Sequence, residues 1–201
     1  MIIIINKSLA TGIFPKSLER AKIFPIFKNK DKLDVTNYRP ILSSLSSAKF
    51  MKKFFYNRLY NDFSVNNLLS SSQFGFRSGA STEHALLKIS DDILKLFDKK
   101  KVAIATFIYF SKAFDCVDQN ILLSKLKRYG IHETALQWIN SYLTDSEHFL
   151  SWNQTHSPLL NINIGVPRGS ILGPLLFLIY INDSVNSGNI LSFVLVTTVY
   201  V

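Results

Sequence analysis

Gly165-Val166-Pro167-Arg168-Gly169-Ser170-Ile171-Leu172-Gly173-Pro174-Leu175-Leu176-Phe177-Leu178-Ile179-Tyr180-Ile181-Asn182-Asp183 is a turn followed by an apolar run. A rigid proline between two glycines places a cationic side chain in the turn, and a helix is expected from Ser170 onward. A loop of this kind lets backbone N–H groups approach a phosphate or a stacked base at a helix N-terminus. Gly/Pro turns of the same composition also precede helices that bind nothing.

Upstream of this stretch, residues 147–164 read as two strands around a polar turn at 153–157. A helix covers about 133–143. Asp118 caps another that runs through Arg128 and is stopped by Gly130. Residues 102–110 are nearly all apolar and rich in β-branched side chains, the pattern of a strand buried on both faces. Ser81 or Thr82 caps a helix with Glu83 in its first turn, and Leu86, Ile89, Ile93 and Phe97 are its expected buried stripe. Asp91 and Asp92 face away from that stripe and read as a solvated surface rather than a metal pair. An earlier helix buries Ala48, Met51, Phe55, Leu59 and Phe63, with Lys49, Lys52, Lys53 and Arg58 on its other face. Residues 22–42, punctuated by Pro25, Pro40 and the polar run 28–34, read as short extended pieces and turns. The tail 190–201 reads as a strand without formal charge or proline, a composition that invites edge pairing. Helices and strands alternate without regular βαβ spacing, so the fold class expected is α+β.

The charge is unevenly placed. Residues 1–60 hold 12 Lys and Arg against 3 Asp and Glu, whereas residues 61–201 hold 11 against 11, so the whole excess of +9 lies in the first third. A basic lobe joined to a neutral one suits either a polyanion touched from one side or a solubilising face. The 201 residues allow one domain or two small ones, and 47% hydrophobic against 18% charged residues argues against disorder. The single cysteine, Cys116, excludes an internal disulfide. No apolar run approaches the roughly 18–20 residues that span a bilayer, and the expectation is a soluble intracellular chain, cytoplasmic or nuclear, with no membrane partner.

Most catalytic patterns fail. His84, His132, His148 and His156 are scattered without zinc-ligand spacing to Cys116. No Gly-rich loop ends in Lys-Ser or Lys-Thr before a helix, and Ser170 lacks a nucleophile elbow. Asp115 and Asp118 lie three apart, but Asp118 is better explained as a helix cap.

Several segments together resemble the reverse transcriptase of jockey-like, LINE-type (non-LTR) retrotransposons. They are Phe14-Pro15-Lys16-Ser17-Leu18, Asn37-Tyr38-Arg39-Pro40-Ile41, Gln73-Phe74-Gly75-Phe76-Arg77 with Ser81-Thr82-Glu83-His84-Ala85-Leu86, Phe110-Ser111-Lys112-Ala113-Phe114-Asp115, and the 165–183 stretch. The resemblance covers nearly the whole chain, in the family's order. It implies a right-hand polymerase with basic fingers at 1–100 and a partial palm at 101–201, the palm built on a ferredoxin-like sheet with helices and carrying a fingers-like insertion near 119–160, the thumb being absent. The activity implied is RNA-templated DNA synthesis, in which carboxylates hold two metal ions.

The chain departs from that pattern where the metals would bind. The resemblance places the first ligand Asp at the position of Tyr109, and a phenol with a pKa near ~10 is a poor Mg²⁺ ligand. The paired aspartates of the family's hairpin would fall between Leu195 and Val196, where none is present. Asp115 is a single carboxylate past the turn and cannot hold two metals. No catalytic residue and no metal ligand are therefore assigned, and no cofactor is expected where the intact family uses Mg²⁺. By resemblance, Lys28, Arg39 and Arg77 fall in fingers segments near triphosphate or template. Phe114 takes the aromatic position that screens the sugar 2′ group, and Gly165, Pro167 and Gly169 line the template base and nucleotide. Arg168 stands where the family has Gln. The chain is expected to be an inactive reverse-transcriptase relic or, alternatively, a non-catalytic module that holds RNA or DNA through the basic residues 1–60.

Overall fold

Four consecutive isoleucines favour a strand by composition, yet Ile2–Thr11 is helical (α1) and is anchored by the two residues it buries, Ile5 and Ser8. The computed structural model describes residues 2–18, 20–28, 31–43, 45–104, 110, 112–144, 147–152, 155–161, 163–167 and 169–183, with backbone alone at 36, 39 and 161. A 3-10 turn at Lys16–Leu18 leads to β1 (Ala21–Phe27). A second at Val35–Asn37 leads to β2 (Tyr38–Ser43). Then follow α2 (Ser46–Val65), α3 (Thr82–Asp98), α4 (Gln119–Arg128), α5 (Glu133–Thr144), β3 (Glu147–Trp152), β4 (Thr155–His156), β5 (Leu160–Asn161) and α6 (Gly173–Ile181). The described residues thus form an α+β fold.

The sheet runs β2-β1-β3-β4, with β5 also paired to β3. β1 and β2 are antiparallel and set Pro25 opposite Pro40. β1 pairs β3 in parallel only at Ala21, Lys22 and Ile23. Pro25 has no N–H to give, and the parallel ladder stops before it. On either side of the polar turn expected at 153–157, of which 153 and 154 lie outside the described residues, β3 and β4 pair antiparallel with Ser151 opposite His156, and β5 adds a third piece against Glu147 and His148.

The core is mainly helical. All five residues of the expected α2 stripe are buried, and they meet Leu122 and Leu126 of α4 and Trp138, Ile139, Tyr142 and Leu143 of α5. α6 is apolar all round and buried all round, as such a helix must be. Asp118 caps α4 by accepting from Asn120 N and Ile121 N. Ser81 caps α3 by accepting from His84 N.

Four expectations are corrected. Lys52 is not on the exposed face of α2 but is buried with the stripe, because positions 48, 51, 52 and 55 share one face of a helix. The α3 stripe is only partly covered: Leu86 and Phe97 are 64% and 60% exposed, Ile89 and Ile93 are half-buried, and only Ala85 on this helix is fully buried. Its periodicity marks an apolar face that stays largely open to solvent. The helix after the glycine turn begins at Gly173 rather than Ser170, since Ser170 Oγ accepts from Gly173 N and donates to the Pro167 carbonyl, holding one more turn outside the helix. Residues 102–104 carry no strand pairing, with Val102 and Ile104 exposed. Residues 105–109 and the tail 190–201, on which the palm sheet was expected, lie outside the described residues, as do Tyr109, Arg168, Leu195 and Val196. Asp91 faces solvent and Asp92 is half-buried, paired at i,i+4 with Lys95 and Lys88 respectively. No helix among the described residues is long and apolar enough to cross a membrane.

Candidate nucleic-acid interface

The glycine turn is held by two backbone hydrogen bonds to the loop that precedes α4. Gly165 N donates to Val117 O at 2.7 Å, and Val166 N donates to Phe114 O at 2.8 Å. Gln119, buried at the start of α4, donates from Nε2 to Gly165 O at 3.0 Å. Gly165 sits at φ +84°, and a Cβ there would lie 2.9 Å from both Asp115 Cα and Phe114 O. A side chain at this position would therefore break the joint. Further along, a Cβ on Gly173 would come 2.6 Å from the Pro167 carbonyl, so the turn and α6 can stay in contact only through glycine.

These bonds bring Phe114, Gly165 and Pro167 into one packed unit. The Phe114 ring is 8% exposed, stacks on Phe177 of α6 at 4.9 Å and meets Phe76 edge-on at 6.0 Å. Gly169 leads from this unit to the sheet, where its nearest neighbours are Ile41 and Leu42 of β2. β2 also carries Arg39, whose side chain is outside the described set. Lys28 lies at the base of the β1–β2 hairpin, with its main-chain N donating to Asn37 O at 2.8 Å and its side chain exposed. Arg77 is engaged away from the turn: its Nη1 donates to Ser70 O at 2.6 Å and closes the 70–77 loop.

Two supporting residues escaped the sequence reading. Asn182, buried at the end of α6, accepts from Ser70 N at 2.9 Å and donates to Leu68 O and Tyr129 Oη, both at 2.7 Å. Gln73, 1% exposed, donates from Nε2 to Leu178 O at 3.3 Å. Asn182 ends an apolar run, a signal that could have marked it, whereas Gln73 follows three serines and carries none.

Cations crowd the N-terminal third. Lys53 lies over the Tyr56 ring at 4.7 Å and Arg58 over Phe54 at 4.4 Å, both on the exposed side of α2. Lys52 instead points inward, 5.6 Å from the Phe14 ring and 5.2 Å from Tyr142. Burial, and after it the charge of Lys49, brings the Lys52 ammonium down to about 8. Burial and the nearby Lys52 hold His148 of β3 neutral down to about 4, and burial pushes the Tyr142 phenol up to about 12.

The carboxylates of the described residues do not suit a two-metal site. Asp118 Oδ1 is committed to two backbone N–H groups, Asp183 pairs with Lys125 at 2.5 Å, and no three His, Cys, Asp or Glu side chains converge.

The glycine turn, Phe114 packed against α6 and the β2 strand beside Gly169 thus form one continuous unit. Residues 27–194 match the family model for reverse transcriptase (RNA-dependent DNA polymerase), and the chain belongs to that family. It is 33% identical over 190 residues to the probable RNA-directed DNA polymerase from transposon BS of Drosophila melanogaster. It is also 33% identical over 184 residues to the RNA-directed DNA polymerase from mobile element jockey of the same fly, and 32% identical over 187 residues to the jockey polymerase of Drosophila funebris. Each alignment covers 91–92% of this chain and 20% of the relative, so the chain spans about a fifth of the length of these proteins.

Proposed function

We propose that this chain is a reverse-transcriptase domain of a non-LTR retrotransposon that no longer polymerises. On this reading residues 1–100 are fingers and residues 101–201 a partial palm, with 119–160 a fingers-like insertion. The observation that carries it is Tyr109 in place of the first ligand Asp, together with the absence of any Asp between Phe193 and Tyr200. The residues present do not fit Mg²⁺, so no metal-dependent step is assigned to them. Primer extension on an RNA template with Mg²⁺ or Mn²⁺ tests the reading. No incorporation is expected, whereas incorporation that survives Asp115→Ala would put the active site elsewhere.

A second reading concerns what remains: a non-catalytic module that holds RNA or DNA, inside the cell, through the basic residues 1–60. Lys28, Arg39 and Arg77, with the turn at Gly165, Pro167, Arg168 and Gly169 and Phe114 behind it, are the contacts carried over from the family. The excess of +9 confined to residues 1–60 favours this reading. Affinity for a single strand should fall with salt on a log–log slope of roughly −0.7 per phosphate contacted. A flat salt dependence would overturn it.

A further inference from the structure

The sheet has a second face that the glycine turn does not reach. Ile41, beside Gly169, pairs with Phe24 across the hairpin, whereas Phe27 pairs with Tyr38. Side chains alternate along a strand, so Phe27 and Tyr38 lie on the face opposite Ile41. Trp152 of β3 joins them there. The Phe27 and Tyr38 rings are 5.4 Å apart and tilted by 58°, and Tyr38 meets Trp152 edge-on at 6.1 Å. Phe27 is 37% and Trp152 50% exposed. Lys32 closes one end, its Nζ 5.8 Å from the Phe27 ring while its carbonyl accepts from Tyr38 Oη at 2.9 Å.

Three rings from three adjacent strands, Phe27 and Trp152 exposed and Tyr38 half-buried between them, flanked by a lysine, have the make-up of a base-stacking platform. We propose that this face binds unpaired nucleotides of a single strand, separately from the turn at 165–169. The inference rests on the reading of the chain as a nucleic-acid-binding module. Charge selects the occupant: Phe27, Tyr38 and Lys32, three of the four platform residues, belong to the third of the chain that holds the entire positive excess, so a polyanion is favoured over a neutral peptide. Ring exposure selects the strandedness, since a duplex hides the faces of its bases and offers only its backbone and groove edges.

The test uses the full chain and a short oligouridylate. Trp138 is fully buried against Phe55, so quenching of tryptophan fluorescence on titration reports Trp152. Quenching is expected, and Trp152→Leu should abolish it and weaken binding roughly five- to a hundred-fold, the loss of one stacked base. Trp152→Phe retains an aromatic face and should keep affinity close to that of the native chain. Binding to a duplex of the same length should be unaffected by either change, with circular dichroism confirming that both variants fold. If oligouridylate binds with the expected salt dependence but Trp152→Leu binds equally well, this inference falls and the basic-lobe reading stands. If the native chain binds no nucleic acid at low salt, both fall. Self-association that Trp152→Leu removes while oligouridylate binding is unchanged would put a second copy on this face and overturn the inference.

Discussion

Phe114 stacks on Phe177 with ring centroids 4.9 Å apart and planes within 25° of parallel, joining the loop before α4 to the buried helix α6. The aromatic that resemblance places beside a nucleotide sugar is therefore also a core residue. Phe114→Ala should destabilise the chain by about 3–5 kcal/mol, the range for emptying a buried phenylalanine site. Phe114→Leu should lose under about 2 kcal/mol. Urea unfolding midpoints measure both, and equal midpoints for native and alanine chains would show that the ring carries no packing.

Gly165 and Gly130 separate strain from collision. Both have positive φ, +84° and +91°, but a Cβ on Gly130 meets nothing within 4 Å. Gly130→Ala should lose about 1–2 kcal/mol from left-handed backbone strain alone. Gly165→Ala should lose more, because it also forces the 165–166 turn off the Phe114 and Val117 carbonyls. Equal losses would mean the turn tolerates displacement.

Lys52 makes stability depend on alkaline pH. Its ammonium falls from 10.5 to about 8 on folding, so between those values the unfolded chain binds a proton that the native chain does not. Stability then rises with pH across that window, and the penalty below pH 8 is of order 3 kcal/mol. His148 acts with the same sign lower down, stability falling as pH drops from 6.5 toward about 4. Lys52→Met should raise the urea midpoint at neutral pH and flatten the alkaline rise. It should also shift the acid limb downward in size, since His148 loses a positive neighbour. A native chain with a flat profile from pH 8 to 10.5 would contradict the burial of this amine.

Asn182 is a three-way tie between the 68–70 segment, α4's C-cap residue Tyr129 and α6. Asn182→Ala leaves Ser70 N and Leu68 O short of a partner and should destabilise by about 3 kcal/mol. Tyr129→Phe removes one of the bonds and should lose about 1 kcal/mol. In the double variant the effects should fall short of additive by at least about 0.5 kcal/mol, as a double-mutant cycle would show.

What the sequence disclosed was local. The α2 stripe, the Asp118 cap and the stop at Gly130 depend on neighbours within a few residues, and all three stand. α1 did not show, because four isoleucines become helical only through Ile5 and Ser8 packing toward α5, where Trp138 Nε1 donates to Ser8 Oγ. The α3 stripe was misjudged for the converse reason: period tells which face is apolar, not whether anything covers it. At the candidate site the turn itself was legible from its glycines. Its grip on residues 114–117 was not, since it joins positions some fifty residues apart without a pattern in either segment. The aromatic row on the sheet depends on the pairing of β1 with β3, more remote still.

One consequence concerns cutting the chain. Lys99, Lys100 and Lys101 are exposed where α3 ends, with Lys100 at φ +54°, and they offer trypsin an open tribasic site. The buried cluster draws on both sides of that site: Met51, Phe55 and Phe63 from before it, Leu122, Trp138 and Leu176 from after it. A limited digest should give two polypeptides on a denaturing gel that still elute together from a sizing column. Separately expressed halves should recover the native circular dichroism spectrum only when mixed.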